Sequence, residues 1–258
     1  MDALLSNAIA AARLARGIHL YYQAKGFTVD TKSGPTDLVT QADKETEIAI
    51  KDFLLARYPD HAFLGEEGGQ ENEAEYRWIV DPIDGTVNFA HGFPFYAVSI
   101  ALEVRGELEL GVVLDSSRDE LFWARRGQGA YLNGRPIQVS QTSELIGSLL
   151  ATGFPYDVNK DRENLTYFER VLEKGLTVRR PGAAALDLCY VAAGRLDGFW
   201  EVKLKPWDVA GALVVLREAG AVVTDMEGEE YRLGNRYIVA SNGLIHNELL
   251  ATIMGRGN

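Results

Sequence analysis

The chain has 258 residues, of which 47% are hydrophobic and 24% charged, with a formal net charge of −11 at pH 7. That length supports one large domain or two modest ones with no need for covalent staples, and the single cysteine, Cys189, excludes an intramolecular disulfide framework. The negative balance opposes direct binding to a nucleic-acid backbone, no apolar run approaches the ~20 residues of a membrane helix, and one cysteine fits a reducing, cytoplasmic setting.

In chain order, Leu4, Ala8, Ala11, Ala15, Ile18 and Tyr22 recur at helical spacing. They predict an amphipathic first helix rather than a signal peptide, because no basic residue precedes the apolar stretch. A second helix is expected from Thr40, with Ala42, Ala49, Ile50, Phe53 and Leu54 facing inward. Thr40-Gln-Ala-Asp43 matches a capping box. Phe63-Leu64 reads as a strand end leading into Gly65-Glu66-Glu67, and Trp78-Ile79-Val80 as a short buried strand.

Residues 96–105, 107–114 and 120–125 alternate as strands, and Asn133-Gly134 marks a hairpin turn. Beyond about residue 145, strands at 148–152, 177–180, 197–203, 221–225 and 237–241 are expected to alternate with helices at 160–174, 183–193, 208–219 and 243–254. This order argues for stacked layers of helices and sheets. The expectation is one domain over residues 1–258, with halves of about 1–145 and 146–258 sharing one cleft. The sequon Asn164-Leu-Thr166 is read as accidental, since no secretion signal accompanies it.

Chemistry concentrates in Asp81-Pro-Ile-Asp84-Gly85-Thr86. Pro82 forces Asp81 to be extended, Gly85 allows close backbone approach to a ligand, and Thr86 is placed to open a helix with free N–H groups facing an anion. Asp-Pro and Asp-Gly are also ordinary turn formers, and Asp208 suits a helix first turn with or without a ligand. None of His19, His61, His91 and His246 has zinc-site spacing. Clustered oxygen donors select magnesium, manganese or calcium. There is no Gly-rich nucleotide loop with its lysine, no nucleophile elbow and no His-Glu-x-x-His helix.

With these residues the chain resembles the inositol monophosphatases, within the wider fructose-1,6-bisphosphatase-like, lithium-sensitive phosphatases. The resemblance runs through Asp37–Asp43, Gly65-Glu66-Glu67, the run 78–89 with Val87 for a threonine, Gly182–Asp187 and Trp207-Asp208-Val209-Ala210-Gly211. It implies an α+β fold, an α-β-α-β-α sandwich, and hydrolysis of a phosphate monoester, myo-inositol monophosphate above all, with two or three Mg2+ ions for which Mn2+ can substitute. By position it implies metal ligands at Glu66, Asp81, the Ile83 carbonyl, Asp84 and Asp208. Asp43, Glu66 and Thr86 are the implied catalytic residues. Asp84, Gly85, Thr86, Gly182, Ala183, Ala184 and Glu201 are the implied substrate contacts, and the implied assembly is a homodimer. Lys203 and Lys205, sharing a strand face with Glu201 by alternation, are read either as a basic rim for a second phosphate or as solvated side chains. A fructose bisphosphatase, a nucleotide 3′-phosphate or histidinol-phosphate phosphatase, and an interaction protein of the transcription machinery stand as alternatives.

Overall fold

The computed structural model describes residues 2–32 and 34–256. Its helices are α1 (Ala3–Lys25), α2 (Gln41–Leu55), α3 (Thr86–Ala90), α4 (Glu163–Glu173), α5 (Ala184–Ala192), α6 (Pro206–Glu218) and α7 (His246–Met254). A two-stranded ribbon pairs β1 (Val29–Thr31) with β2 (Leu38–Thr40). An eight-stranded sheet contains β3 (Ala62–Gly65), β4 (Gly69–Glu71), β5 (Tyr76–Asp84), β6 (Ala97–Val104), β7 (Glu107–Asp115), β8 (Glu120–Arg125), β9 (Ala130–Leu132) and β10 (Arg135–Ile137), in the order β10, β9, β8, β7, β6, β5, β3, β4. A five-stranded sheet contains β11 (Leu149–Thr152), β12 (Thr177–Arg179), β13 (Gly198–Val202), β14 (Val222–Thr224) and β15 (Tyr237–Ser241), in the order β12, β11, β13, β15, β14.

Three apolar interfaces hold these layers together. Leu5, Ala8, Ala12, Ile50 and Leu54 of α1 and α2 pack on Trp78, Val80, Val98 and Val112 of the larger sheet. On its other face, α5 and α6 bring Leu186, Val191, Leu213 and Val215 against Ile79, Ala101, Val113 and Phe122, and against Phe199 and Ala240 of the smaller sheet. Tyr167, Val171, Leu249 and Ile253 of α4 and α7 close the far side on Leu150, Trp200 and Val239. The fold is therefore α+β, layered α-β-α-β-α as expected, and each sheet is covered on both faces. That explains why β5 and β13 are buried along most of their length rather than at alternate positions. Among the described residues, no helix is long and apolar enough to cross a membrane.

Three local readings change. On α1, Ala8, Ala11, Ala15 and Tyr22 are buried as expected, but Leu5 and His19 are buried where Leu4 and Ile18 were expected. His19 sits without solvent contact, its Nδ1 2.7 Å from Ser116 Oγ, and burial lowers its pKa to about 3. On α2, Asp43, Thr46 and Glu47 join Ala42, Ile50 and Leu54 on the buried face, whereas Ala49 and Phe53 are only partly covered. Finally, β5 does not stop near Asp81 but continues to Asp84 through a register shift.

Candidate active site

The register shift in β5 aims the acidic residues. Asp81 pairs with Ser99 and Asp84 with Ala97, so β5 fits one more residue into this interval than β6 does. Pro82 lies in that bulge, where its missing N–H costs no ladder bond. Asp84 consequently reaches α5: its Oδ1 accepts from the Ala184 N–H at 3.1 Å and its Oδ2 from the Ala185 N–H at 2.8 Å. Burial raises its pKa to about 7; the Ala185 and Ala184 amides act the other way and the Glu66 charge adds to the rise. Each carboxylate oxygen keeps a further lone pair for another partner.

Gly85 follows in a left-handed conformation, φ 89° and ψ 40°. A Cβ there would come within 3.1 Å of the Ala183 side chain and of the Phe95 carbonyl, and 3.2 Å from the Gly182 carbonyl. Glycine thus lets the β5–α3 turn close against the loop before α5, joining Gly85, Gly182 and Ala183 into one cradle. Thr86 begins α3, and its hydroxyl lies 2.9 Å from Asp43 Oδ1 and 3.0 Å from the Ile83 carbonyl. Asp43 Oδ2 accepts from the Thr40 N–H at 2.8 Å and the Thr40 hydroxyl at 2.5 Å, completing the expected capping box. Desolvation raises the Asp43 carboxyl to a pKa of about 6, against the pull of the bonds from Thr40 and Thr86.

Glu66 follows β3, whose parallel register sets Gly65 beside Val80, so Glu66 emerges next to Asp81. Asp81 is 1% exposed, and its Oδ1 has no hydrogen-bond partner among the described residues. Burial, then the charges of Glu66, Asp84 and Asp208, hold its carboxyl well above the usual range. Asp208, in the first turn of α6, accepts the Lys205 N–H at 2.7 Å, and burial followed by the Glu66 charge raises it likewise. Glu201 leaves the buried end of β13 8% exposed, raised by burial and then by Asp208 and Asp84. The structure therefore assembles Asp43, Glu66, Asp81, Asp84, Gly85, Thr86, Gly182, Ala183, Ala184, Glu201 and Asp208 from both halves of the chain around one acidic centre.

Three charged residues at this centre escaped the sequence reading. Glu47, one helical turn after Asp43, accepts the Glu67 N–H at 2.8 Å and the Gly68 N–H at 2.6 Å. It thereby fixes the backbone that carries Glu66, and the i, i+4 spacing from Asp43 was the available signal. Asp187 is 1% exposed with Oδ1 unpartnered, and burial, then Asp84 and Glu201, keep it strongly raised. The Lys32 ammonium stands 2.7 Å from Glu66 Oε1 and also binds Glu67; burial opposes its charge, but those two carboxylates outweigh it. The basic rim is not formed by Lys203, which lies just past β13 with φ 65° and binds Asp157 at 2.8 Å and Asp161 at 2.7 Å. The alternation that placed it on the face of Glu201 ends where the strand ends.

Among the described residues, no three histidine, cysteine or acidic side chains already converge as one ion's ligand shell. Glu66 is drawn to Lys32 and Asp84 to the α5 amides. The donor set nevertheless fits hard cations: it is all oxygen, mutually repelling, and includes the orphaned Asp81 Oδ1. A lysine ammonium on Glu66 shows that the position accepts a positive charge.

The sequence profile of the inositol monophosphatase family matches residues 1–256. The chain belongs to that family. It is 42% identical to the Nus factor SuhB of Vibrio cholerae, covering 100% of this chain and 98% of that protein. It is 44% identical to an inositol-1-monophosphatase of Mesorhizobium japonicum over 85% of this chain and 84% of that protein. Among solved structures, the extragenic suppressor protein suhB of Bartonella henselae superposes with a TM-score of 0.92, at 39% identity over 98% of both chains. The family assignment thus covers the whole layered fold as well as the acidic centre.

Proposed function

We propose that this protein is a Mg2+-dependent phosphate monoester hydrolase that converts myo-inositol monophosphate and water to myo-inositol and phosphate. The observation that carries this reading is the buried acidic centre, where burial and the Glu66 charge raise Asp81, Asp84 and Asp208, and Asp84 raises the other two. Such a cluster is costly in a protein interior without cations to balance it. Glu66, Asp81, the Ile83 carbonyl, Asp84 and Asp208 would hold the magnesium ions, with manganese as a substitute. Bound magnesium supplies charge stabilisation at the phosphate and the departing alkoxide, and acidifies water.

The remaining work falls to the chain's own groups. The amides of Gly85 and Thr86, at the turn that closes against Gly182 and Ala183, would donate to phosphate oxygens. Ionised Asp43 accepts the Thr86 hydroxyl proton, which turns the free lone pairs of Thr86 Oγ1 toward the attacking water and orients it. Thr86 does not act as the base itself, because its hydroxyl is too weakly basic. Glu201, at the smaller-sheet side of the same centre, reads a hydroxyl of the cyclitol. The seating of Asp84 on the first turn of α5 couples the phosphate side to the hydroxyl side.

Substrate preference is tested by comparing kcat/KM, in saturating magnesium, for myo-inositol 1-phosphate, fructose 1,6-bisphosphate, a nucleotide 3′-phosphate and histidinol phosphate. Inositol 1-phosphate is expected to rank first; a higher value for another ester would reassign the substrate. The name of the Vibrio cholerae relative favours a second reading, a protein-partner role in transcription. The net charge of −11 directs that reading to a protein contact rather than to nucleic acid. An Asp81→Asn variant that loses turnover but retains the partner role would separate the two.

A further inference from the structure

The buried polar groups at the end of β11 have no part in the mechanism above, yet they hold Gly153 and Trp200, the residues beside Glu201. Strands β11 and β13 run parallel, with Thr152 paired to Trp200. Gly153 and Glu201 are the next residues on each strand. Gly153 is buried, and an added Cβ would stand 2.3 Å from both carboxyl oxygens of Glu201. No real side chain tolerates that distance. The Glu201 carboxylate therefore occupies the space that a side chain at 153 would fill.

This seat is held by a network with no exposed member. The Thr152 hydroxyl donates to the Trp200 carbonyl at 2.6 Å. The Trp200 indole N–H donates to Asn164 Oδ1 at 2.8 Å. The Asn164 amide in turn donates to the Gly153 carbonyl, and lies 3.2 Å from the Thr152 hydroxyl. Asn164, Thr152 and Trp200 are each 0% exposed. Asn164 thus binds both strands at the residues that precede or carry the contact, and fixes Gly153 against Glu201. The sequon at Asn164 also finds its explanation, since an amide with no solvent contact and its hydrogen bonds taken serves packing rather than glycan attachment.

We propose that Gly153 is a specificity-determining residue: the absence of its side chain seats the Glu201 carboxylate where it reads a substrate hydroxyl, and Asn164 holds that seat. The inference rests on the reading of Glu201 as the hydroxyl-binding group. It adds that the strand beside Glu201, and not Glu201 alone, sets which polyol phosphates are accepted. A residue larger than glycine at 153 moves the carboxylate and leaves the acidic centre on the larger sheet in place, because the group displaced is the far end of a flexible side chain.

The test uses the full chain in saturating magnesium and two esters: myo-inositol 1-phosphate, which offers hydroxyls, and p-nitrophenyl phosphate, which offers none. Gly153→Ala is expected to lower kcat/KM for inositol 1-phosphate by about tenfold or more, mainly through KM. The value for p-nitrophenyl phosphate should stay within about twofold. In a Glu201→Ala background, where the added methyl has room, Gly153→Ala should change inositol 1-phosphate turnover by less than about twofold. Equal losses on both esters, or a loss that persists undiminished without Glu201, would make Gly153 a packing residue and overturn the proposal. Should Gly153→Ala fail to fold, a folded double variant assigns the conflict to Glu201 and supports the seat; an unfolded double variant overturns it. If Glu201→Ala is selective against inositol 1-phosphate and Gly153→Ala is not, this inference alone fails. If Glu201→Ala leaves inositol 1-phosphate turnover unchanged, the hydroxyl-reading role fails first.

Discussion

The Thr86 hydroxyl and Asp43 Oδ1 lie 2.9 Å apart, joining the first turn of α3 to the first turn of α2 across 43 residues of sequence. This bond makes the state of Asp43 decisive, because the ionised carboxylate accepts the Thr86 hydroxyl more strongly than the neutral acid does. With its pKa near 6, activity is expected to fall as pH drops through that value. Asp43→Asn should lose roughly 10²–10⁴-fold in kcat and also lose that acid limb. An unchanged acid limb in the variant would assign it to another group.

The same carboxyl makes a stability statement of opposite sense. Its folded pKa of about 6 lies above the ordinary 3.8, so the folded chain holds this proton more tightly than the unfolded chain does. The contribution is most favourable below pH 3.8, is lost as pH rises to about 6, and stays lost above that. Asp43→Asn, which can still cap α2, should therefore gain in Tm relative to the parent as pH rises through this window. A difference that is flat with pH would show that Asp43 does not titrate there.

Asp81→Asn should remove one of the mutually repelling acids and leave its packing intact. Without metal, its Tm is expected to equal or exceed that of the parent. Its turnover should fall by ~10³-fold, the cost of ~4 kcal/mol at the transition state. A large drop in Tm would return Asp81 to a structural turn role.

Glu47 tests the support of Glu66. Glu47→Ala leaves the Glu67 and Gly68 amides without their acceptor, which costs ~1–3 kcal/mol per buried group if water cannot replace it. Raised magnesium demand with little change in phosphate-ester KM is the expected kinetic signature, since Glu47 acts through the backbone of Glu66. Unchanged magnesium demand would confine Glu47 to packing.

Lys203 should be nearly silent. Its ion pairs with Asp157 and Asp161 are surface pairs, of the kind worth ~0–1 kcal/mol. Lys203→Ala is expected to leave the ratio of bisphosphate to monophosphate hydrolysis unchanged. A selective loss of bisphosphate turnover would restore it as a phosphate contact.

Legibility in the sequence tracks how local each constraint is. Asp81, Asp84, Gly85 and Thr86 could be read because Pro82 and Gly85 restrict the backbone within the motif itself. The bulge that delivers Asp84 to α5 could not, since it arises from pairing with β6, outside the motif. Two positions on the face of α1 were misplaced because Leu4 and Leu5 are interchangeable in the apolar pattern and a buried histidine at 19 is not an apolar signal. Glu47 and Asp187 break the rule that carboxylates lie outside, so an apolar pattern gives no signal for them. The strands β1, β2 and β4 are three-residue elements with no interior stripe to detect.

The most direct test is phosphate release from myo-inositol 1-phosphate by the full chain after exhaustive chelation, followed by graded magnesium. Turnover is expected to vanish in chelator and to return with magnesium, and with manganese in its place, while Asp81→Asn stays inactive throughout. Full turnover in chelator, or none at saturating magnesium, would contradict a metal-dependent phosphatase built on Glu66, Asp81, Asp84 and Asp208.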